Sequence, residues 1–412
     1  MMNLPRTVVP TWVVPVLVAL LAASAGASSV EYWTSINREA DERAYFLDVF
    51  AQKYPEVNVN YQLQPGAGYY DKLLTALATG SGPDIFYTVG QWVPQWAVHG
   101  FAYDVSDFFE RDLDPSRFFQ AAIDEGRYPQ GGRSLYAVAT NFVASVLFYN
   151  KNHFDAAGLA YPDGTWTYQT LAEAAAKLRR DLTGDGVTDQ YGLLVNGTHV
   201  DLDPAIYANG GRVVSIDGTR SEVNSPAGIE TLRFFAELTT SGVAATLNDF
   251  PGQPRPFLSN QVSMEINGSF NFRWFEPAPF EWDIAPVPRG SVRRAAYGGS
   301  DMLAMSAAAR DPEAAWKVLR SNLEDRQPGY FIGGFIPIMR ETAQAPEWLN
   351  QPPANRAVLL EQAADVVTVA GVNWGQWNAQ KNQVYRQALL GQISPEEAML
   401  RVSEMMNTLL AQ

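Results

Sequence analysis

The chain has 412 residues and a formal net charge of −14 at pH 7, and 47% of its residues are hydrophobic. These values are typical of a globular protein of two domains, and the acidic charge argues against binding to nucleic acid or to anionic membrane surfaces. The absence of cysteine excludes disulfides, thiol catalysis, thiolate metal sites and a lipid-modified cysteine. The 3 histidines do not have the spacing of a zinc site.

The first 27 residues have the pattern of a secretory signal peptide. Arg6 supplies a positive charge, residues 12–23 form an apolar run, and small residues at 23–27 fit a cleavage site. The apolar run is shorter than the roughly 20 residues that a membrane-spanning helix needs. We therefore expect cleavage near residue 28 and a periplasmic or otherwise extracytoplasmic location.

Strand and helix patterns alternate along the rest of the chain. Strands are predicted at 30–33, 57–61, 84–89, 191–195, 262–266 and 284–287, and helices at 37–54, 69–79, 170–182, 228–240, 312–323, 381–390 and 394–410. This alternation favours an α/β fold with largely parallel sheets and helices on both faces.

A series of short motifs appears in a fixed order along the chain. Residues 50–59 read FAQKYPEVNV, residues 77–85 read LATGSGPDI, and residues 149–159 read YNKNHFDAAGL. Shorter matches follow at 165–166, 267–270, 285–288 and 298–300. Together these motifs resemble the family 1 extracellular solute-binding proteins over nearly the whole mature chain. One departure is Tyr168-Gln169, which stands where the family usually has an acidic residue.

The resemblance implies a two-lobed periplasmic-binding-protein fold, with a ligand cleft between lobes that are joined by crossover segments. We expect an N-terminal lobe of residues 28–140 plus 300–322 and a C-terminal lobe of residues 141–299 plus 323–412. The crossovers are expected near residues 139–141, 297–300 and 322.

The resemblance also implies a non-enzymatic protein without a cofactor. It would capture a di- or oligosaccharide as a monomer and deliver it to the permease subunits of an ABC transporter in the membrane. The alternative within the family is a binder of glycerol 3-phosphate or another polar solute. A phosphate ligand needs cationic partners, for which the possible donors are Arg38, Arg212, Arg273 and Arg293.

A sugar site needs amides and carboxylates for the hydroxyl groups and aromatic rings for the C–H faces. In a two-lobed α/β protein such residues lie after strands and at the crossovers. The expected ligand-binding residues, with at least one of the last two, are Trp33, Asn37, Gln91, Trp92, Asn141, Asn209, Asn267, Phe270, Gly299, Ser300, Asp301, Trp374 and Trp377. Core packing remains the alternative for the aromatic residues, and capping or turn roles remain the alternative for the amides.

Residues 181–189 resemble the beginning of an EF-hand loop. Oxygen ligands would come from Asp181, Thr183, Asp185 and Asp189. The bidentate glutamate of such loops is missing, because Gly192 occupies its position. We expect a polar surface turn, with a structural Ca²⁺ site as the alternative.

An enzyme that acts on glycosides is the competing function class. It would need two carboxylates that face each other across the scissile bond. With 44 acidic residues, such pairs can always be imagined, and no Gly-x-Ser-x-Gly motif occurs. Nothing specific in the sequence therefore supports catalysis.

Overall fold

The structure is a computed structural model that describes residues 28–35, 43–64, 66, 68–325 and 334–411. The expected signal peptide and the expected ligand-binding residue Asn37 lie outside the described residues. In the described ranges, no helix is both long and apolar enough to cross a membrane.

The strands form two sheets. The first sheet has the order β2-β1-β3-β11-β4, and the second has the order β12-β10-β5-β8-β6-β7 with β9 beside β5. The strands are β1 (Ser28–Thr34), β2 (Val57–Leu63), β3 (Ile85–Val89), β4 (Val138–Ala139), β5 (Val143–Asn150), β6 (Leu193–Leu194), β7 (Ala244–Ala245), β8 (Met264–Gly268), β9 (Trp282–Ala285), β10 (Ala296–Gly299), β11 (Asp301–Met305) and β12 (Val366–Val367).

Helices connect and cover these strands, and several begin at side-chain caps. Thr167 accepts a hydrogen bond from the backbone N–H of Thr170, and Ser394 accepts one from Glu397. The helices are α1 (Ala51–Lys53), α2 (Tyr69–Ala78), α3 (Val93–Val98), α4 (Ser106–Asp112), α5 (Gln120–Asp124), α6 (Lys151–Ala157), α7 (Tyr168–Leu178), α8 (Leu202–Ala208), α9 (Pro226–Thr240), α10 (Phe272–Phe275), α11 (Pro312–Glu324), α12 (Arg340–Ala343), α13 (Pro346–Leu349), α14 (Val358–Gln362), α15 (Trp374–Leu389) and α16 (Pro395–Leu410).

The first sheet is parallel at one edge and antiparallel at the other. β1 pairs in parallel with β2 and β3, as the alternation of strands and helices predicts. β11 comes from a much later part of the chain and runs antiparallel between β3 and β4. The strands β11 and β4, on the antiparallel side of this sheet, are therefore each next along the chain to a strand of the second sheet.

The second sheet is mixed, so the expectation of largely parallel sheets is wrong here. β5 runs antiparallel to β8, β9 and β10, whereas β6 is parallel to β7 and β8. β5 is buried at all of its positions, because Val146 and Phe148 face one core while Leu147 and Tyr149 face the other. A strand that is buried on both faces reads as a continuous apolar run and does not reveal its direction.

The chain passes from one sheet to the other between β4 and β5 and between β10 and β11. The sheet membership thus changes between residues 139 and 143 and between residues 299 and 301, close to two of the expected crossovers. The third crossover was expected near Asn322, but that residue is buried inside α11 and its side-chain amide donates to the carbonyl of Val318 at 2.8 Å. The exact lobe boundaries remain a prediction.

Candidate functional site

The two crossovers bring Asn141 and Asp301 together. Asn141 Nδ2 donates to Asp301 Oδ2 at 2.9 Å, and Tyr87 Oη donates to Asp301 Oδ1 at 2.8 Å. Asn141 is fully buried, yet its Oδ1 has no hydrogen-bond partner among the described residues. The carboxylate therefore fixes the amide and leaves one buried acceptor unused.

A second buried acceptor belongs to Glu125, at the end of α5. Ser300 Oγ donates to Glu125 Oε2 at 2.5 Å, whereas Oε1 has no partner in the part of the chain that the structure describes. Burial, with a further contribution from Asp301, raises the pKa of Glu125 to about 7. A Cβ atom on Gly90 would lie 2.0 Å from Glu125 Oε1, so only glycine allows this approach.

Gln91 joins the first sheet to β10 of the second sheet. Its Nε2 donates to Tyr297 Oη at 3.3 Å, and Gly299 lies against the same phenol. A Cβ atom on Gly299 would be 2.5 Å from Tyr297 Oη, which explains the need for glycine at this crossover. The expected residues Gln91 and Gly299 thus meet through a tyrosine that sequence reasoning did not select.

Trp92 presents an aromatic surface on the side of the first sheet. Its ring stacks on Tyr70 with centroids 4.3 Å apart and an interplanar angle of 8°. The other sheet's helix α15 approaches closely, since a Cβ atom on Gly375 would lie 2.8 Å from the Trp92 ring. Nearby, the backbone N–H of Asn373 donates to Gln95 Oε1 at 2.9 Å.

Trp374 presents the corresponding surface on the side of the second sheet. Its ring meets the His199 ring edge-on at 5.4 Å, and His199 meets Tyr297 in the same way at 5.2 Å. Asn378 is one turn further along α15, and its Nδ2 lies 3.3 Å from His199 Nδ1. Burial and the positive charge of Lys381 lower the pKa of His199 to about 3, so the imidazole is neutral at ordinary pH.

Glu265 is the second residue of β8 and lies level with Leu194 at the end of the parallel strand β6, and Asn196 and Asn267 each follow two positions further along. Asn196 Nδ2 and Asn267 Nδ2 donate to Glu265 Oε1 at 3.0 and 2.6 Å. Glu265 is 3% exposed, and its Oε2 has no partner within the described ranges. The carboxyl ends of parallel strands are the usual position of ligands in α/β sheets.

Five of the buried polar atoms without a partner in the described structure belong to the clusters at the crossovers, on α15 and on β8. They are Glu125 Oε1, Asn141 Oδ1, Glu265 Oε2, Asn378 Oδ1 and Trp374 Nε1. A buried polar atom without a hydrogen bond is unfavourable, so such a group of atoms is suited to a polar ligand or to bound water. Because four of the five are acceptors, the ligand they fit best is rich in hydrogen-bond donors.

Two expected ligand-binding residues have structural roles instead. Trp377 has no exposed surface, lies in the second core and donates through Nε1 to the carbonyl of Val372 at 3.0 Å. Asn209 ends α8, where its Oδ1 accepts from the backbone N–H of Ser291 at 2.9 Å and its Nδ2 donates to Thr231 Oγ1 at 3.0 Å. These contacts favour core packing for Trp377 and a capping role for Asn209, and ligand binding by at least one of Trp374 and Trp377 remains a prediction.

Trp33 and Phe270 are half-buried and lie at strand ends, as expected. Lys72 Nζ lies 5.1 Å from the centre of the Trp33 ring on β1, and the Phe270 ring covers Gly268 at the end of β8. No hydrogen bond or ring contact joins either of them to the cluster at the crossovers in the described structure. Their role in ligand binding remains a prediction.

Sequence reasoning missed several members of this site. His199, Glu125 and Glu265 carry no motif, and their roles depend on contacts with residues far away along the chain. Asn378 could have been predicted from the sequence, because it stands four residues after Trp374 and so shares its helix face.

A pocket lies beside Gly90 and Glu125. It is lined from the first-sheet side by Arg127 and Tyr128 and from the second-sheet side by residues that include Tyr207, Arg212 and Asp217.

The loop at residues 181–189 is an exposed turn held by its own carboxylates. Asp181 accepts from the backbone N–H groups of Gly184 and Gly186 at 2.6 and 2.8 Å, and Asp189 accepts from those of Leu182 and Thr183. Asp185 accepts from Val187. These contacts fit the polar-turn interpretation. The described residues contain no group of three or more acidic, histidine or cysteine side chains that could hold a metal.

Comparison with known proteins agrees with this architecture. Residues 27–321 match the family described as "Bacterial extracellular solute-binding protein". An ABC substrate-binding protein from Listeria monocytogenes, solved in complex with cycloalternan, is similar with a TM-score of 0.80 and 27% identity, covering 92% of this chain and 98% of that chain.

Several sequence relatives have named ligands, and two of them align over most of this chain. A maltotriose-binding protein of Pyrococcus abyssi is 23% identical over 80% of this chain and 71% of its own length. The sn-glycerol-3-phosphate-binding periplasmic protein of Escherichia coli is 24% identical over 80% of this chain and 74% of its own length. The family match covers most of the chain and agrees with the two-sheet architecture, so this protein is a member of the bacterial extracellular solute-binding protein family.

Proposed function

We propose that this protein captures a neutral di- or oligosaccharide outside the cytoplasm and delivers it, chemically unchanged, to the permease of an ABC transporter. One observation carries the proposal. Partner-free buried acceptors and half-buried aromatic rings gather where the chain crosses between its two sheets. A sugar can satisfy both features, because its hydroxyl groups donate hydrogen bonds to the acceptors and its C–H faces pack on the aromatic rings.

The charges at the site favour a sugar over glycerol 3-phosphate, the alternative that one relative supports. Asp301 lies at the crossovers and Glu265 is buried on β8, and an ionised carboxylate repels a phosphate ester. Of the arginines considered as phosphate donors, Arg212 lines the pocket beside Glu125 but lies 3.6 Å from Glu222, and Arg273 stacks on Trp274. The maltotriose ligand of one relative and the cycloalternan complex of the structural neighbour also favour a sugar.

The mechanism that we propose is a clamp. Sugar binds between the lobes, makes contacts with both, and thereby stabilises a closed arrangement that the permease recognises. A ligand shifts such an equilibrium only by the difference between its affinities for the closed and open states. Trp92 on one side and Trp374 on the other are placed to supply that difference. The protein would act as a monomer after removal of residues 1–27.

Isothermal titration calorimetry tests the proposal. We expect residues 28–412 to bind one member of a panel of maltose, maltotriose, cycloalternan and other sugars, without consuming it, and to bind glycerol 3-phosphate much more weakly. Binding of only the phosphate ester would favour the alternative, and turnover of a sugar would contradict a pure binding role.

Variants of two aromatic residues locate the site within the same experiment. Trp374→Ala removes a ring at the proposed site, so it should weaken sugar binding by about 2 kcal/mol, or roughly thirtyfold in Kd. Tyr161→Ala is the control, because Tyr161 is 37% exposed and lies beside α6, in contact with Phe154 and Asp155. Equal losses in the two variants would argue against the proposed position.

A further inference from the structure

Among the buried carboxylates of the site, Glu265 is the one whose contacts indicate its role most specifically. It lies on β8 with Asn267 two residues further along the same face, and Asn196 follows the neighbouring parallel strand β6. Both amide nitrogens donate to the same oxygen, Oε1, at 3.0 and 2.6 Å. The two half-buried asparagines are therefore held in place by one carboxylate beneath them.

The second oxygen of Glu265 is unused, which is unusual for a carboxylate that is 97% buried. An ionised carboxylate has about four acceptor positions, and a buried oxygen without a donor is unfavourable. A glutamine here would place its Nε2 group where Oε2 lies and would leave a buried donor unpaired instead. The unused oxygen of Glu265 is therefore suited to a hydrogen-bond donor from a ligand or from bound water.

We propose that Glu265 is a positioning residue that selects ligands by their charge. It orients Asn196 and Asn267 toward ligand hydroxyl groups, and it disfavours the binding of anionic ligands. This inference rests on the proposed function, since it assumes a ligand at the crossovers. Burial, with a smaller contribution from the charge of Asp201, raises the pKa of Glu265, whereas the two amide donors and the charge of Arg255 act in the opposite direction and favour the ionised form. A negative group brought to the same place would meet this charge in a site of low dielectric, where repulsion is strong.

The test compares neutral sugars with their own phosphate esters. Maltose, trehalose and glucose are each titrated alongside the corresponding monophosphate at about pH 8, because a higher pH favours the ionised form of a carboxyl. The variant Glu265→Gln removes the charge and keeps the acceptor for both asparagines. Glu265→Asp keeps the charge with a shorter side chain.

In Glu265→Gln, we expect the preference for the neutral sugar over its ester to fall at least tenfold, or about 1.4 kcal/mol. Glu265→Asp should keep the preference even where the affinity for both ligands falls. Glu281→Gln is the control, because it makes the same charge change at an exposed side chain that pairs with Lys151 at 3.1 Å. Thermal unfolding of each variant checks that the variant is folded at the temperature of the titration.

The outcomes separate this inference from the function on which it rests. A wild-type protein that binds a sugar, with the same preference in Glu265→Gln, would overturn the role of Glu265 and leave the proposed function intact. Loss of affinity for sugar and ester in equal proportion would also overturn it, because that is the effect of a purely structural residue. Failure of the wild-type protein to bind any sugar would refute the proposed function itself.

Discussion

At the scale of single residues, Glu125 shows how a long-range contact creates a feature that sequence reasoning could not find. Its carboxyl is buried because Ser300, which is 175 positions away, donates to it and because Gly90 leaves room for it. Sequence reasoning selected Ser300 from its place at a crossover but had no basis for its partner. Residues at strand ends were predictable, whereas acidic residues buried by tertiary contacts were not.

The protonation of Glu125 predicts a pH dependence of stability. Its pKa in the folded protein is about 7, above its ordinary value of 4.5, so the folded state keeps a proton that the unfolded state releases between these values. The contribution of this group to the unfolding free energy should therefore fall by up to about 3 kcal/mol as the pH rises from 4.5 to 7.

Glu125→Gln should remove this contribution. The variant is expected to be more stable than the wild-type protein at pH 8 and to differ little from it at pH 4, as measured by urea unfolding. His153 and His199 are present in both proteins, so the effects of their lowered pKa values, about 4 and about 3, cancel from the comparison. A difference in stability that does not change with pH would contradict the assignment.

At the scale of elements, α15 connects the site to the second core. The periodicity of the sequence predicted a helix from residue 381, but α15 begins at Trp374, so the predicted start missed the segment that carries Trp374 and Asn378. Asn373 begins the helix with φ of 57°, a left-handed conformation that asparagine tolerates better than most residues. This unusual start gives no periodic signal. In the second sheet the predicted strands at 191–195, 262–266 and 284–287 overlap β6, β8 and β9, whereas β5, β7, β10 and β12 were not predicted. The directions of these strands depend on pairing and were not predictable.

A fully buried ion pair attaches α15 to α8. Lys381 Nζ lies 2.8 and 2.7 Å from the two carboxylate oxygens of Asp203, and neither side chain is exposed. Tyr385 Oη donates to the same carboxylate at 3.3 Å. Because His199 lies just before α8 and Trp374 begins α15, this pair also keeps those two rings in contact.

Removing one partner of the pair should be much worse than removing both. Lys381→Met leaves a buried carboxylate without its counter-charge and should lower the unfolding free energy by about 3–5 kcal/mol. The double variant Lys381→Met/Asp203→Leu should recover most of that loss, since it leaves no unpaired charge. A double-mutant cycle by urea unfolding measures the coupling, and additive losses would contradict it.

At the scale of the whole molecule, the ordered series of weak motifs identified the architecture correctly. These motifs lie where the chain enters or leaves a strand, since residues 57–59 begin β2, residue 85 begins β3 and residues 149–150 end β5. The chain changes sheet close to the predicted residues 139–141 and 297–300. The later part of the chain was less predictable: residues 336–363 contribute to the first core and contact the second sheet through α14.

The central claim is that a sugar binds between the two sheet units and draws them together. Small-angle X-ray scattering of residues 28–412, with and without a saturating sugar identified by calorimetry, tests it most directly. The clamp predicts a smaller radius of gyration in the presence of the sugar and no change with a sugar that does not bind. An unchanged radius of gyration in the presence of a tightly bound sugar would contradict it.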